Sequence, residues 1–122
     1  MLYIPRTRWA LARLFISIAL FASVVDAHAI LKSAVPGSGQ VVQGAEVAIE
    51  LRFNSRIDGK RSRITLVVPD GSTKPLAIRD QAAPDILNAQ AEGLKSGSYT
   101  IRWQVLANDG HISRGEVPFR VQ

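Results

Sequence analysis

Apolar and polar side chains alternate with a period of two along most of this chain, and that single property excludes helical folds. Val47, Ile49, Leu51 and Phe53 share one face of a strand, and Glu46, Glu50 and Arg52 point the other way. This is the pattern of a sheet with one dry and one wet side. Ile64, Leu66 and Val68 repeat it, and Tyr99, Ile101, Trp103 and Val105 form the heaviest apolar row, opposite Thr100, Arg102 and Gln104. Val117, Phe119 and Val121 close the chain in the same style, with Pro118 pointing outward as expected of an edge strand. No stretch holds a 3.6-residue period. Weaker strands are expected over residues 30–34, 74–78 and 86–90, with turns at Pro36-Gly37-Ser38-Gly39, Asp58-Gly59, Pro69-Asp70-Gly71 and Ser96-Gly97. About seven short strands at this spacing predict an all-β Greek-key sandwich or small barrel.

Residues 1–27 stand apart from this pattern and read as a cleaved export signal. Arg6, Arg8 and Arg13 form a basic leader, Leu14 to Ala22 is almost wholly apolar, and Val25-Asp26-Ala27 puts small residues at positions minus three and minus one of a cut. The competing reading is a membrane anchor, but the apolar run is about ten residues, well short of the roughly 20 that a bilayer needs. Cleavage after Ala27 leaves His28 at the amino terminus. A second cut, after Ala29, also obeys the small-x-small rule and would remove the histidine.

The remaining 95 residues, 28–122, are enough for one domain with one core. Three of the 15 basic residues and one of the 10 acidic ones fall in the signal, leaving twelve against nine, or +3. The basic residues are scattered, with only Lys60, Arg61 and Arg63 close together beside a turn, and no aromatic ladder accompanies them. They read as solvated surface, and nucleic acid is not expected as a partner. The chain has no cysteine. An exported domain of this size must therefore rely on its hydrophobic core, and any metal site must use nitrogen and oxygen donors.

Candidate donors are few, because the chain has only two histidines. At a new amino terminus His28 offers an α-amine and an imidazole from one residue, which together close a chelate ring on a metal. His111 follows Asn108-Asp109-Gly110 in a polar loop, where Gly110 lets the backbone turn. Residues i and i+2 of a strand-like bend project to one side, so Asp109 and His111 can approach one ion. Three nitrogens and an oxygen favour tetragonal Cu(II), with zinc as the competing ion. Taken singly, Asp-Gly is an ordinary turn dipeptide and a loop histidine is more often solvated than ligating.

Across nearly its whole mature length the chain resembles the CopC family of periplasmic copper-resistance proteins. His28-Ala29 followed by Leu31, Ser33 and Pro36-Gly37 resembles the family's opening, and Ile49-Glu50-Leu51-Arg52-Phe53 its second strand. Gly97-Ser98-Tyr99-Thr100-Ile101-Arg102-Trp103 resembles the penultimate strand, and Asp109-Gly110-His111 through Gly115 to Phe119 and Val121 the D-x-H-x3-G-x3-F-x-V ending. The resemblance implies a seven-stranded immunoglobulin-like Greek-key β-sandwich or barrel that carries copper in the periplasm and catalyses no reaction. It places one Cu(II) on the amine and imidazole of His28 and the imidazole of His111, with Asp109 as a nearby or axial carboxylate. A membrane copper-transport protein is the partner it implies.

Three departures from the family pattern stand out. Asn54-Ser55-Arg56 replaces the acidic residue that often follows the second-strand Phe, and Ile112 stands where a proline commonly follows the histidine. The sole methionine is Met1, inside the signal, so a methionine-rich Cu(I) site is not expected. Two other functions stay open. A terminal histidine paired with a second one is also the arrangement of copper enzymes that cleave polysaccharides oxidatively, although Tyr99 and Trp103, the large amphipathic rings, are expected in the core. A signal cut after Ala29 would instead leave an immunoglobulin-like interaction module without metal.

Overall fold

The computed structural model describes residues 29–122, so the signal segment 1–27 and His28 lie outside the described residues. Eight strands follow one another: β1 (Leu31–Val35), β2 (Val41–Val42), β3 (Val47–Phe53), β4 (Ile57–Val67), β5 (Thr73–Leu76), β6 (Ile86–Ala91), β7 (Gly97–Ala107) and β8 (Ile112–Val121). They form a three-stranded sheet, ordered β1-β3-β6, and a five-stranded sheet, ordered β2-β8-β7-β4-β5. The all-β Greek-key sandwich is thus present, with the two-residue β2 as an addition that alternation is too short to reveal. Among the described residues no helix is long and apolar enough to cross a membrane.

The rows that alternate in sequence are the rows that meet between the sheets. Ile49, Leu51 and Phe53 of β3 and Leu87 of β6 face Ile64 and Leu66 of β4 and Ile101 and Val105 of β7, all essentially inaccessible. Each such side chain contributes roughly 1.5–3 kcal/mol by leaving water. The Phe53 ring meets the Trp103 indole edge-on, with centroids 5.1 Å apart and planes at 73°. On the same inner face of the β7–β8 ladder, Trp103 lies opposite Gly115. A Cβ on Gly115 would come within 2.2 Å of the indole, so only glycine fits there.

Tyr99, buried at the start of β7, stacks on Phe119 with centroids 5.5 Å apart. Its hydroxyl donates to the Lys95 carbonyl at 2.7 Å and accepts the Lys95 N–H at 3.0 Å. This is the tyrosine corner of Greek-key sandwiches, in which one hydroxyl satisfies two backbone groups where the chain turns into a strand. Tyr99→Phe leaves both groups unpaired, and the expected loss is about 1–3 kcal/mol in urea unfolding with little change in the slope.

Two expectations about turns and edges are corrected. Asp58-Gly59 is not a turn between strands but part of β4, where the register against β7 slips between Asp58 and Arg63. Asp58 Oδ1 accepts the N–H groups of Lys60 and Arg61 there, and the Ser62 hydroxyl donates to the Asp58 carbonyl at 2.6 Å. The Asx-type bonds that usually close a turn instead hold a bulge within a continuous strand. Pro118 is not on an edge strand either, since β8 lies between β7 and β2. Its carbonyl accepts the Gly39 N–H on the β2 side. The proline nitrogen faces that same side, so its missing N–H costs the β7 ladder nothing.

Candidate metal site

One end of the sandwich gathers three segments that are far apart in sequence. The β7–β8 hairpin turns there through Asn108-Asp109-Gly110-His111, closed by the Gly110 N–H on the Ala107 carbonyl at 2.9 Å and the Ala107 N–H on the His111 carbonyl at 2.8 Å. Gly110 takes φ +89°, which a side chain would strain. The Asn108 N–H donates to the Arg56 carbonyl at 3.0 Å, tying the hairpin to the β3–β4 connection.

Within this hairpin Asp109 and His111 meet as their spacing predicts. Asp109 Oδ1 accepts the His111 backbone N–H at 3.0 Å, and Oδ2 lies 3.0 Å from His111 Nδ1. Both carboxylate oxygens are thus committed to one histidine, whose side chain remains half exposed. Such a carboxylate holds the ring in one orientation and raises the basicity of its other nitrogen, the usual support for a metal-binding imidazole. Among the described residues no group of three or more His, Cys, Asp or Glu converges, at this hairpin or elsewhere.

The hydrogen bond from the His111 ring, followed by that from its backbone, holds the Asp109 carboxyl below the ordinary value of 3.8. A carboxyl lowered on folding stabilises the fold above its unfolded pKa, and this contribution is lost as pH falls through the folded value. In metal-free protein the carboxyl resonance of Asp109 should titrate below 3.8. In His111→Ala the midpoint should rise toward that value but not reach it, because the backbone bond remains. An unchanged midpoint would remove the ring contact from the solution structure.

The third predicted donor, His28, lies outside the described residues, but its neighbour is well anchored. Ala29 is 4% exposed, and its N–H donates to the Ser113 hydroxyl at 3.1 Å. Ser113 follows His111 by two residues on β8. The Ile30 N–H donates to Asn54 Oδ1 at 2.8 Å, and the Asn54 N–H returns a bond to the Ile30 carbonyl at 3.0 Å. In the sequence Asn54 stands out only as the loss of an acid, and Ser113 does not stand out at all. Nothing local marks either residue, because Asn54 meets Ile30 and Ser113 meets Ala29 only through the fold.

Comparison with known proteins places these observations in a family. The CopC domain model matches residues 31–122. Protein YobA of Escherichia coli K12 is 30% identical over 118 residues, which cover 94% of each chain. The crystal structure of CopC from Methylosinus trichosporium OB3b superposes with TM-score 0.73 at 30% identity, over 78% of this chain and 94% of that one. That of PcoC, a methionine-rich copper resistance protein from Escherichia coli, gives TM-score 0.62 at 28% identity, over 79% and 100%.

Proposed function

The chain belongs to the CopC family, and on that premise we propose that it is an exported, periplasmic Cu(II) carrier acting in copper resistance or homeostasis. The mature chain begins at His28 and holds one ion through the His28 amine and imidazole and the His111 imidazole, with Asp109 fixing the His111 ring. The observation that carries the proposal is the Asp109–His111 contact beside the anchored Ala29. The tether at Ala29 places the start of the described chain beside β8, two residues past His111. Burial of Ala29 also favours the signal cut after Ala27, since the alternative cut would remove a residue from the core.

Carriage without catalysis is the better reading of the surface. Tyr99 and Trp103 are buried, and among the described residues the exposed large hydrophobic ones are Ile30, Val35, Val41 and Ile112, all aliphatic. A polymer-cleaving copper enzyme needs a face on which sugar rings can stack, and an aliphatic fringe provides none. The methionine richness of PcoC has no counterpart, because Met1 is the only methionine of this chain. Soft donors for Cu(I) are therefore missing, and the nitrogen-rich set selects Cu(II).

Electron paramagnetic resonance during Cu(II) titration of the exported protein, with its first residue verified by mass spectrometry, tests the proposal. One equivalent should give a tetragonal, nitrogen-rich signal that changes in His111→Ala. Protons compete for the nitrogens, so affinity should fall as pH drops from about 8 to 5, through the ordinary amine and imidazole ranges. Absence of a stoichiometric signal from protein that starts at His28 would refute the carrier.

A further inference from the structure

The outer face of the five-stranded sheet collects charge that is scattered in the sequence. Arg63 of β4, Arg102 of β7, and Arg114 and Arg120 of β8 are exposed and alternate with less accessible neighbours, so they project from one face, with Glu116 as the acid among them. Arg63 pairs across the ladder with Gln104, and Gln104 with Arg114. The two guanidinium-bearing positions therefore flank one glutamine across three strands, about 10 Å apart at Cα.

Arg102 Nε donates to Glu116 at 2.9 Å, and Arg114 Nε donates to Gln104 Oε1 at 2.9 Å. Among the described residues no carboxylate lies within ion-pair distance of Arg63, Arg114 or Arg120. Arg63, Arg102, Gln104, Arg114, Gly115 and Glu116 line a shallow depression on this face. At its upper end, toward the His111 hairpin, exposed Ile112 lies opposite Leu106.

We propose that this face of β4, β7 and β8 docks a carboxylate-rich segment of the protein that exchanges copper with this chain. The purpose of the contact rests on the carrier reading; the contact itself does not. Arg63, Arg102, Arg114 and Arg120 present planar forks that match a carboxylate with two parallel bonds, and arginine is enriched at protein interfaces where lysine is depleted. Gln104 and Glu116 add acceptors between the forks, a mixed pattern suited to a polypeptide. An anionic bilayer instead selects a patch of one sign with apolar or aromatic anchors. A segment bound here would reach from the arginines to Ile112, the residue after His111, bringing its own ligands beside the site.

Fluorescence anisotropy of a labelled ten-residue peptide of alternating Glu and Ser, added to the Cu(II)-loaded exported protein, tests the proposal. The peptide should bind, its Gln-Ser counterpart should not, and Arg63→Gln with Arg114→Gln should weaken binding about tenfold or more. Removing the same charge elsewhere, by Lys32→Gln with Lys95→Gln, should change it less than about twofold. Equal losses in the two double variants, or equal binding of the two peptides, would overturn the proposal. So would binding to phosphatidylglycerol vesicles without binding to the peptide, which would make the face a membrane contact. The Cu(II) resonance signal should be the same in every variant, so a failed docking surface leaves the carrier intact. A missing Cu(II) signal alongside intact peptide binding would instead fail the carrier alone.

Discussion

Adding one alanine ahead of His28 should lower Cu(II) affinity by about 100-fold or more, equivalent to about 2.7 kcal/mol. The added residue keeps both imidazoles and Asp109, but it converts the α-amine of His28 into a peptide nitrogen and moves the free amine one residue away. The chelate ring of the terminal histidine is thereby opened without touching the folded domain. Competition against a Cu(II) chelator measures the affinity, and thermal unfolding of the metal-free protein should be unchanged. Undiminished affinity would show that the ion does not use the terminal amine. His28→Ala is the complementary variant, retaining the amine and losing the ring, and it should fall by a similar factor. If only His111→Ala weakened binding, the site would be centred on the β7–β8 hairpin rather than shared with the terminus.

Gly115→Ala should destabilise the domain by about 1–3 kcal/mol, since overpacking a closed core forces side chains off their rotamers. For a domain of this size that corresponds to a fall in Tm of roughly 5–20 °C. The added Cβ would lie 2.2 Å from Cζ2 and 2.5 Å from Cε2 of Trp103, and the indole cannot retreat without disturbing its edge contact with Phe53. Indole Nε1 is buried and has no hydrogen-bond partner among the described residues, so the ring is held by shape. Trp103→Phe removes the ring atoms that the new methyl strikes. Gly115→Ala in that background should cost far less than in the wild type, and circular dichroism melts of the four proteins give the coupling directly. An undiminished Tm in the single variant would mean that the indole has another seat in the core.

Legibility of the fold followed the range of the forces involved. The strands with strict alternation, β3, β7 and the apolar half of β8, were readable because burial on one face of a pleated strand imposes period two on the residues themselves. The extension of β4 back to Ile57 was not. Asp58-Gly59 carries ordinary turn chemistry, and only Ser62 shows what became of it, with its hydroxyl donating to Asp58 and accepting the Leu106 N–H at 3.1 Å across the sheet. Two-residue β2 is held by pairing to Arg120 and Val121, about 80 residues away in the chain, and its own side chains say nothing of that. Pro118 misled for a related reason. A missing N–H forbids one side of a strand, not membership of the sheet interior.

The candidate site divides in the same way. By itself the sequence determined the all-β class, the core rows and the contact of Asp109 with His111, because two residues spaced i, i+2 around a glycine turn meet through local backbone geometry. Tertiary structure alone decided that Ala29 is tied to Ser113 across 84 residues, that Asn54 clasps Ile30, and that scattered arginines share one face. Those relations depend on strand order and register, which are set by how the two apolar faces close on one another, and no short stretch of chain encodes that closure.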